Sequence, residues 1–256
     1  MREYHVGIIG YGFMGKTHTH SYKTIPLYYT NLPFTIRLEG ICDTVPGVAE
    51  EARQMQGFAY ATTDPERIIS DPNIDIVSIC TPNVFHKDLV LRALRAGKHV
   101  YCDKPLTATA EESREILEAL PLFPKQTTQV ALQMRFYPAV MRAKELIQEG
   151  RIGRVFLFQC DYLHSSGIDP NKTLSWKQNR AFGGGGVLLD LGAHAYDVMH
   201  HLLGEYQSVY TMTDIVYPTR PGSDGAPVKV EAEDTSLTIA TLKNGAMGKI
   251  LVSKVA

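Results

Sequence analysis

In the first half of the chain, the pattern of hydrophobic and polar positions defines two kinds of segment, and these alternate along the sequence. Short, nearly continuous apolar runs predict strands that are buried on both faces; they lie at 5–10, 37–42, 74–80, 98–102 and 127–133. The segments between them carry apolar residues at helical spacing, at 14–24, 46–56, 84–96 and 109–120. Because alternating strands and helices favour right-handed crossovers, this half is predicted to be an α/β domain with a doubly wound parallel sheet.

The pattern changes near residue 135. A helix is predicted at 138–150, and the apolar runs after it are longer and alternate with polar residues, which indicates antiparallel strands with one buried face. These runs lie at 154–163, 206–217, 234–242 and 247–256. We therefore divide the chain into residues 1–135 and an α+β domain, residues 136–256, with an open, mostly antiparallel sheet. Since the strand pattern continues to the last residue, we expect this second domain to be incomplete.

Composition narrows the class of protein. The chain has 256 residues, of which 44% are hydrophobic and 21% charged, as in ordinary soluble globular proteins. A net charge of −1 without blocks of like charge argues against nucleic-acid or membrane-surface partners, and no apolar run approaches the ~20 residues of a membrane span. The N-terminus enters a strand pattern directly, so no signal peptide is expected. The cysteines, which are far apart, predict reduced thiols in a cytoplasmic protein: Cys42, Cys80, Cys102 and Cys160.

A glycine motif follows the first predicted strand. Gly10, Gly12 and Gly15 form G-x-G-x-x-G, with Phe13 and Met14 inside it, at the first strand-to-helix turn. Gly10 permits a tight turn, and Gly12 lets the backbone approach a pyrophosphate that the helix N-terminus stabilises. Glycines that serve only packing are the alternative. The position of the motif favours dinucleotide binding.

An acid at the end of the second strand is expected to bind the adenosine ribose. Asp43 has this position, 28 residues after Gly15 rather than the ~20 usual for the motif, which indicates an insertion between them. No basic residue follows Asp43 directly, so the 2′-phosphate of NADP would meet a carboxylate. The sequence therefore predicts NAD rather than NADP, unless Arg37 or Arg53 supplies the missing cation.

Two further motifs follow later strands, at the carboxyl edge where such sheets bind ligands. Thr81, Asn83 and His86 belong to TPNVFH and are candidate cofactor contacts, although Asn83 could serve only as a helix N-cap. Asp103 and Lys104 belong to CDKP. A lone lysine is normally solvated, but beside a nicotinamide it can polarise a substrate hydroxyl or carbonyl. The Lys-Pro bond is a candidate for the cis form.

Four glycines at 183–186 precede a helix predicted to reach residue 204. Its apolar face consists of Leu188, Leu191, Ala195, Val198 and Leu202. A second face carries Asp190, His194, Asp197 and His201. This second face is either a solvated surface or the edge of an active site. It lacks Lys, Arg and Glu, and the glycines allow close backbone approach, so the active-site interpretation is favoured.

Together, GIIGYGFMGKTH, TPNVFH, CDKP and GGGGVLLDLGAHAYDVMHHLLG resemble the Gfo/Idh/MocA family of oxidoreductases. The resemblance implies a Rossmann domain, residues 1–135, and an open sheet in residues 136–256 that forms a homo-oligomer, a dimer or tetramer. The catalytic lysine of the family corresponds to Lys104, and its helix motif includes Asp190 and His194. Asp103 replaces the usual glutamate of the family, and this shorter acid makes a cofactor contact less secure.

The resemblance also implies a reaction. A hydride passes from a secondary alcohol of a sugar, sugar derivative or cyclitol to NAD⁺, while His194 takes the hydroxyl proton and Lys104 stabilises the alkoxide. Asp190 orients the substrate. His164 and Trp176 are candidate substrate contacts in the polar stretch 162–180, and Trp176 could equally be a core residue.

Three alternatives remain open. The enzyme could retain NAD and catalyse a net glycoside hydrolysis or elimination through a keto intermediate. It could instead be a non-catalytic NAD-binding protein. Zinc bound by Asp190, His194 and His164 is a further alternative, but these residues lack tight ligand spacing, so no metal is expected.

Overall fold

The computed structural model describes residues 1–256, which divide into two compact units, Met1–Ala131 and Leu132–Ala256. The division falls four residues before the boundary predicted at 135. No helix is both long enough and apolar enough to cross a membrane.

The first unit is a six-stranded parallel sheet in the order β3-β2-β1-β4-β5-β6. Its strands are β1 (Arg2–Ile9), β2 (Phe34–Cys42), β3 (Tyr60–Thr62), β4 (Ile76–Ile79), β5 (His99–Cys102) and β6 (Thr128–Val130). Its helices are α1 (Phe13–Tyr28), α2 (Pro46–Gln56), α3 (Pro65–Ser70), α4 (His86–Arg95) and α5 (Ala110–Ala119). From β1 the chain builds the sheet outward in one direction to β3, and from β4 it builds outward in the other. Sheets of this kind bind ligands in the crevice between these two halves, at the carboxyl ends of β1 and β4. The predicted doubly wound fold is confirmed.

Both faces of this sheet are covered, as a parallel sheet requires. Helices α3, α4 and α5 contribute Ile68, Leu94 and Ile116 to one apolar cluster. A second cluster contains Ala52 of α2, with Tyr22 of α1 packed against it. The sequence pattern missed β3 and α3 because both are short, although Asp64-Pro65 is an N-cap and first-turn signal: the Asp64 carboxylate accepts a hydrogen bond from the backbone N–H of the second helical residue.

The second unit contains a four-stranded sheet in the order β7-β12-β11-β8. Its strands are β7 (Leu157–Leu163), β8 (Tyr206–Asp214), β11 (Thr235–Leu242) and β12 (Met247–Ser253). Strand β11 pairs antiparallel with both β8 and β12, whereas β7 pairs with β12 in parallel, so the sheet is mixed. A separate hairpin, β9 (Thr219–Pro221) and β10 (Pro227–Lys229), was not predicted, because its proline-rich and glycine-rich sequence lacks a strand pattern.

One face of the second sheet is buried and the other is open. The helices of this unit are α6 (Pro138–Gln148), α7 (Arg180–Gly183) and α8 (Ala193–Leu203). On the buried face, Ile250 and Val252 of β12 pack against Leu191 and Ala195. The opposite face exposes several apolar side chains: Tyr210, Met212, Ile239 and Met247.

Candidate active site

The glycine turn after β1 has the geometry of a phosphate-binding loop. Gly10 has φ +92°, which favours glycine, and a Cβ on Gly15 would lie 2.1 Å from the Gly10 carbonyl oxygen. A Cβ on Gly12 would meet nothing within 4 Å, so this backbone is open to a ligand. Helix α1 begins at Phe13 without a side-chain cap, and Phe13 is exposed beside the half-buried Met14. The turn therefore fits the pyrophosphate of a dinucleotide.

Asp43 lies at the end of β2 and contacts this turn directly. Its Oδ2 accepts a hydrogen bond of 2.9 Å from the Tyr11 backbone N–H, and its Oδ1 accepts one of 3.0 Å from the Val45 N–H. A carboxylate has further lone pairs for ribose hydroxyls. Asp43 therefore anchors the glycine turn and also fits the ribose-binding position predicted for it.

The two arginines that could have neutralised a 2′-phosphate are paired with acids. The guanidinium of Arg37 lies 3.0 Å from a Glu39 carboxylate oxygen, and that of Arg53 lies 2.6 Å from Glu50. Both pairs are local to the strand or helix that carries them. Neither arginine therefore supplies an uncommitted cation for a 2′-phosphate.

The loop after β4 carries the residues of TPNVFH. The Thr81 hydroxyl is buried without a hydrogen-bond partner, as expected of a group that faces a ligand. Asn83 is buried and begins a 3₁₀ turn, whereas Pro82 precedes that turn as its cap, so the predicted N-cap role of Asn83 is wrong. His86 is fully buried, and its ring nitrogens lie 2.9 Å from the carbonyl oxygens of Thr81 and Pro105. His86 thus joins two loops, and neither of its ring nitrogens is available to a cofactor.

Asp103 and Lys104 follow β5. Asp103 is buried, and its Oδ1 accepts a 2.8 Å hydrogen bond from the backbone N–H of Lys104. The Lys104–Pro105 peptide bond is cis. The carboxylate predicted to contact the cofactor is thus turned toward its own loop, where it fixes the backbone of the half-buried Lys104.

A buried histidine that sequence reasoning missed lies behind Asp103. His18 of α1 is stacked on Tyr101, with 4.8 Å between the ring centroids, and its Nδ1 lies 2.8 Å from the Ser78 hydroxyl. Burial lowers the pKa of His18, and the charge on Asp103 opposes that shift. The only sequence signal was a histidine three residues after Gly15, on the helix face that meets the sheet.

In the second unit, the glycines at 183–186 lead into a π-helical turn, Leu188–Gly192, and not directly into an α-helix. The side-chain carboxylate of Glu233 clamps this turn: Oε1 accepts hydrogen bonds from the backbone N–H groups of Gly186, at 2.9 Å, and Leu188, at 3.1 Å. The Glu233 carbonyl accepts a third, at 2.8 Å, from the Val187 N–H. Glu233 therefore fixes the start of the segment that carries Asp190 and His194.

The π turn also changes the predicted apolar face. The residues of this segment that pack against the sheet are Val187, Leu191, Ala195, Tyr196 and Met199. Leu188, Val198 and Leu202 do not belong to this cluster, so their assignment to the core face is wrong, whereas that of Leu191 and Ala195 is confirmed. A π-helical turn closes i→i+5 rather than i→i+4 hydrogen bonds, which shifts the face relative to an ideal α-helix.

Asp190 and His194 lie on the turn and on α8, respectively. The side chain of Asp190 is 15% exposed, and His194 is 6% exposed, so the solvated-surface interpretation is wrong for both. Lys177 and Lys254 each place an ammonium nitrogen 2.8 Å from Asp190, on Oδ1 and Oδ2 respectively. The ring of Tyr162 lies edge-on to His194, 6.3 Å between centroids. A partly buried carboxylate held by two cations therefore precedes a buried imidazole by one helical turn.

Asp197 and His201, the other two residues of the predicted polar face, bind neighbouring side chains of the second unit. The Arg135 Nε donates hydrogen bonds of 2.8 and 3.0 Å to the two carboxylate oxygens of Asp197, and this joins the 3₁₀ turn Gln133–Phe136 to α8. His201 lies 3.2 Å from the Lys144 ammonium group, and burial together with that charge lowers the pKa of His201. Both residues hold α8 in place.

His164 and Trp176 flank a long loop after β7. His164 is exposed and lies edge-on to Tyr162, with 4.9 Å between ring centroids. Trp176 is 40% exposed, so the core alternative for it is wrong, and the Lys177 Nζ lies over its ring, 5.8 Å from the centroid. All four cysteines are free, and no cluster of three or more His, Cys, Asp or Glu side chains is arranged to hold a metal ion.

The loop between His164 and Trp176 is fixed largely through its backbone. The Gly167 N–H donates a 2.7 Å hydrogen bond to the Lys254 carbonyl, and the Leu174 N–H donates a 2.8 Å bond to the Pro221 carbonyl. The buried guanidinium of Arg220 donates to two loop carbonyls, those of Gly167 and Asp169. The hairpin β9–β10 thus anchors the loop.

A doubly wound sheet with an open glycine turn, followed by a unit with a partly buried acid and a buried histidine, defines the class of dinucleotide-dependent α/β proteins. Residues 4–130 match the family model described as "Oxidoreductase family, NAD-binding Rossmann fold". Residues 140–256 match the GFO/IDH/MocA C-terminal domain. The chain belongs to the Gfo/Idh/MocA family of oxidoreductases, and its first unit is an NAD-binding Rossmann domain.

Relatives and solved structures agree with this assignment. Levoglucosan dehydrogenase of Pseudarthrobacter phenanthrenivorans is 35% identical, over 98% of this chain and 67% of its own length. An inositol 2-dehydrogenase/D-chiro-inositol 3-dehydrogenase of Lactiplantibacillus plantarum is 27% identical, over 78% of this chain and 52% of its own. A structure of levoglucosan dehydrogenase in complex with NADH and levoglucosan superposes with a TM-score of 0.95 and 36% identity, and covers 100% of this chain and 68% of that one. The chain thus spans about two thirds, or less, of these proteins.

Proposed function

We propose that this protein transfers a hydride between NAD and a secondary alcohol of a sugar, a sugar derivative or a cyclitol. The observation that carries the proposal is the buried His194 one turn after an Asp190 carboxylate that two lysines hold. A buried imidazole suits removal of a hydroxyl proton, and a carboxylate suits a neighbouring hydroxyl of a polyol. The relatives named for levoglucosan and inositols support this class of substrate.

Each residue has a distinct role in the proposed reaction. The Gly10–Gly15 turn would hold the pyrophosphate of NAD⁺, Asp43 its ribose, and Thr81 and Asn83 its remaining part, and the bound cofactor would supply the hydride acceptor. His194 accepts the proton of the reacting hydroxyl. The ammonium group of Lys104 stabilises the alkoxide that forms, and Asp190 accepts a hydrogen bond from an adjacent hydroxyl. Trp176 and His164 offer contacts for the rest of the sugar.

A substrate screen tests this proposal. Sugars, anhydrosugars and inositols are each incubated with NAD⁺ and with NADP⁺, while the absorbance of the reduced nicotinamide and the products are followed. A steady rise in absorbance with one of these polyols is expected. Product formed without net NADH would replace the proposal by a hydrolysis or elimination with retained NAD. Cofactor binding without any turnover would point to a non-catalytic NAD-binding protein.

The protein is expected to bind NAD more tightly than NADP. Like charges about 4 Å apart repel by about 1 kcal/mol even in water, so Asp43 should disfavour the 2′-phosphate by about fivefold or more. Titration calorimetry with both cofactors checks this. Asp43→Asn, which keeps a side-chain oxygen for the Tyr11 N–H, should narrow the preference, whereas Asp43→Ala should also loosen the turn. Equal or tighter NADP binding by the wild type would contradict the prediction.

We also propose that the open face of the second sheet packs against a second copy of this chain. Its exposed apolar residues lie on three adjacent strands, with Tyr210 of β8 opposite Ile239 of β11 and Met247 on β12. Sedimentation should show a dimer or tetramer, and Ile239→Lys should dissociate it, since a charge would be buried. Leu122→Lys, a change at an exposed apolar residue of the first unit, is the control. A wild-type monomer at micromolar concentration would refute this assembly.

A further inference from the structure

We propose that Lys254 is a positioning residue for the reaction, acting by fixing the orientation of the Asp190 carboxylate, and that Lys177 assists it more weakly. The inference rests on the role proposed above for Asp190. Neither lysine belongs to a motif of the sequence. Both are identified only by their contacts in the folded second unit.

The two lysines hold opposite oxygens of one carboxylate. The Lys254 Nζ lies 2.8 Å from Oδ2, and the Lys177 Nζ lies 2.8 Å from Oδ1. A carboxylate bound on one oxygen can still rotate about its last side-chain bond. Bound on both, it has a fixed plane, so the direction in which Asp190 can accept another hydrogen bond is set before substrate arrives.

The backbone of Lys254 is fixed on both sides. Its N–H donates a 2.9 Å hydrogen bond to the Asp234 carbonyl, and its carbonyl accepts the 2.7 Å bond from Gly167. Asp234 directly follows Glu233, whose carboxylate clamps the turn that carries Asp190. Glu233 and Asp234, the two residues before β11, therefore hold the backbone on both sides of the ion pair: Asp234 binds Lys254, and Glu233 binds the turn of Asp190. These bonds keep the ammonium group of Lys254 close to the Asp190 carboxylate.

Exposure separates the two lysines. The side chain of Lys254 is 15% exposed, as is that of Asp190, whereas Lys177 is 42% exposed. Ion pairs at exposed positions are screened and contribute little, but breaking a largely buried one leaves a charge without its partner. Lys254 should therefore matter more than Lys177, although both distances are 2.8 Å.

The test compares four variants of the full chain. With a polyol that the wild type oxidises, Lys254→Met should lower kcat by about 10–100-fold, because a misplaced group costs up to about 10²-fold, and KM should change much less. Lys254→Arg, which restores a cation, should recover most of the loss. Lys177→Met should lower kcat less than Lys254→Met. Lys243→Met, at a surface lysine paired with Glu205, is the control and should resemble the wild type.

A second measurement needs no substrate. Hydrogen exchange of the backbone of residues 186–194 should be faster in Lys254→Met than in the wild type, and Lys254→Arg should restore protection. Unchanged kcat in Lys254→Met would overturn the inference, as would a loss of kcat that Lys254→Arg fails to restore in any part. If the wild type oxidises no polyol, the proposed function fails, and the exchange data alone then decide whether Lys254 fixes the Asp190 turn.

Discussion

Replacing His194 with alanine is expected to lower kcat by about 10²–10⁴-fold on any polyol that the wild type oxidises, the usual contribution of general acid–base catalysis. The physical reason is that His194 is a buried imidazole, one turn after Asp190, and is the proposed acceptor of the hydroxyl proton. An ionisation in the pH profile of kcat/KM should disappear with it. Steady-state kinetics over a range of pH values check both effects.

The control is His200→Ala, a change at an exposed histidine of the same helix. It should keep kcat and the pH profile. NAD affinity should barely change in His194→Ala, because the pyrophosphate is assigned to the Gly10–Gly15 turn of the other unit. Near-normal turnover by His194→Ala would show that the proton is taken by a different group.

The same experiment can be extended to Lys104. If Lys104 and His194 act on one substrate hydroxyl, Lys104→Ala should also lower kcat, and the double variant should lose much less than the product of the two single losses. Fully multiplicative losses would indicate that the two residues act independently.

Replacing Gly186 with alanine is expected to disrupt the second unit. A Cβ at this position would lie 2.0 Å from the Glu233 carbonyl oxygen and 2.7 Å from its backbone nitrogen, so backbone would have to move. Overpacking of this kind typically costs about 1–3 kcal/mol and occasionally more. The clamp of Glu233 on the turn would be lost at the same time. We expect a lower Tm in calorimetry and a strong loss of kcat.

Gly185→Ala is the matched control within the same glycine run. Its Cβ would meet only the Leu189 side chain within 3.4 Å, at 3.2 Å, and a side chain can move at little cost. This variant should therefore keep most of its stability and turnover. Equal Tm values for Gly185→Ala and Gly186→Ala would show that the glycine run does not serve close approach to Glu233.

The sequence predicted the parts of the fold that have a repeating pattern. Buried parallel strands read as continuous apolar runs, and the amphipathic α4 showed its period clearly, so the Rossmann sheet could be derived. The hairpin β9–β10 and the six-residue α3 could not, because elements of this length contain less than two periods of any pattern. The parallel pairing of β7 with β12 could not be predicted either, because it joins strands that are far apart in the sequence.

The candidate site shows the same division. Gly10 and His194 were proposed because each belongs to a motif at fixed spacing, and Asp43 was proposed because it directly follows the second strand. Lys177, Lys254 and Glu233 were missed because their contacts with the Asp190 segment depend on tertiary structure that no local pattern encodes. The π turn at 188–192 was missed for another reason. One wider turn changes which residues face the sheet, but the amino-acid sequence of the turn does not differ visibly from that of an α-helix.

The backbone anchoring of the loop between His164 and Trp176 has a consequence for how this enzyme could be altered. The main-chain atoms of Gly167 and Leu174 hold the loop, and Arg220 donates to its carbonyls, so the frame is largely independent of the side chains between them. Exposed positions such as Ser165 and Ser166 can be randomised without disturbing the Asp190–His194 segment. The loop is thus a suitable place for a directed-evolution library that seeks new substrates while Asp190 and His194, the residues with proposed roles in the reaction, stay constant.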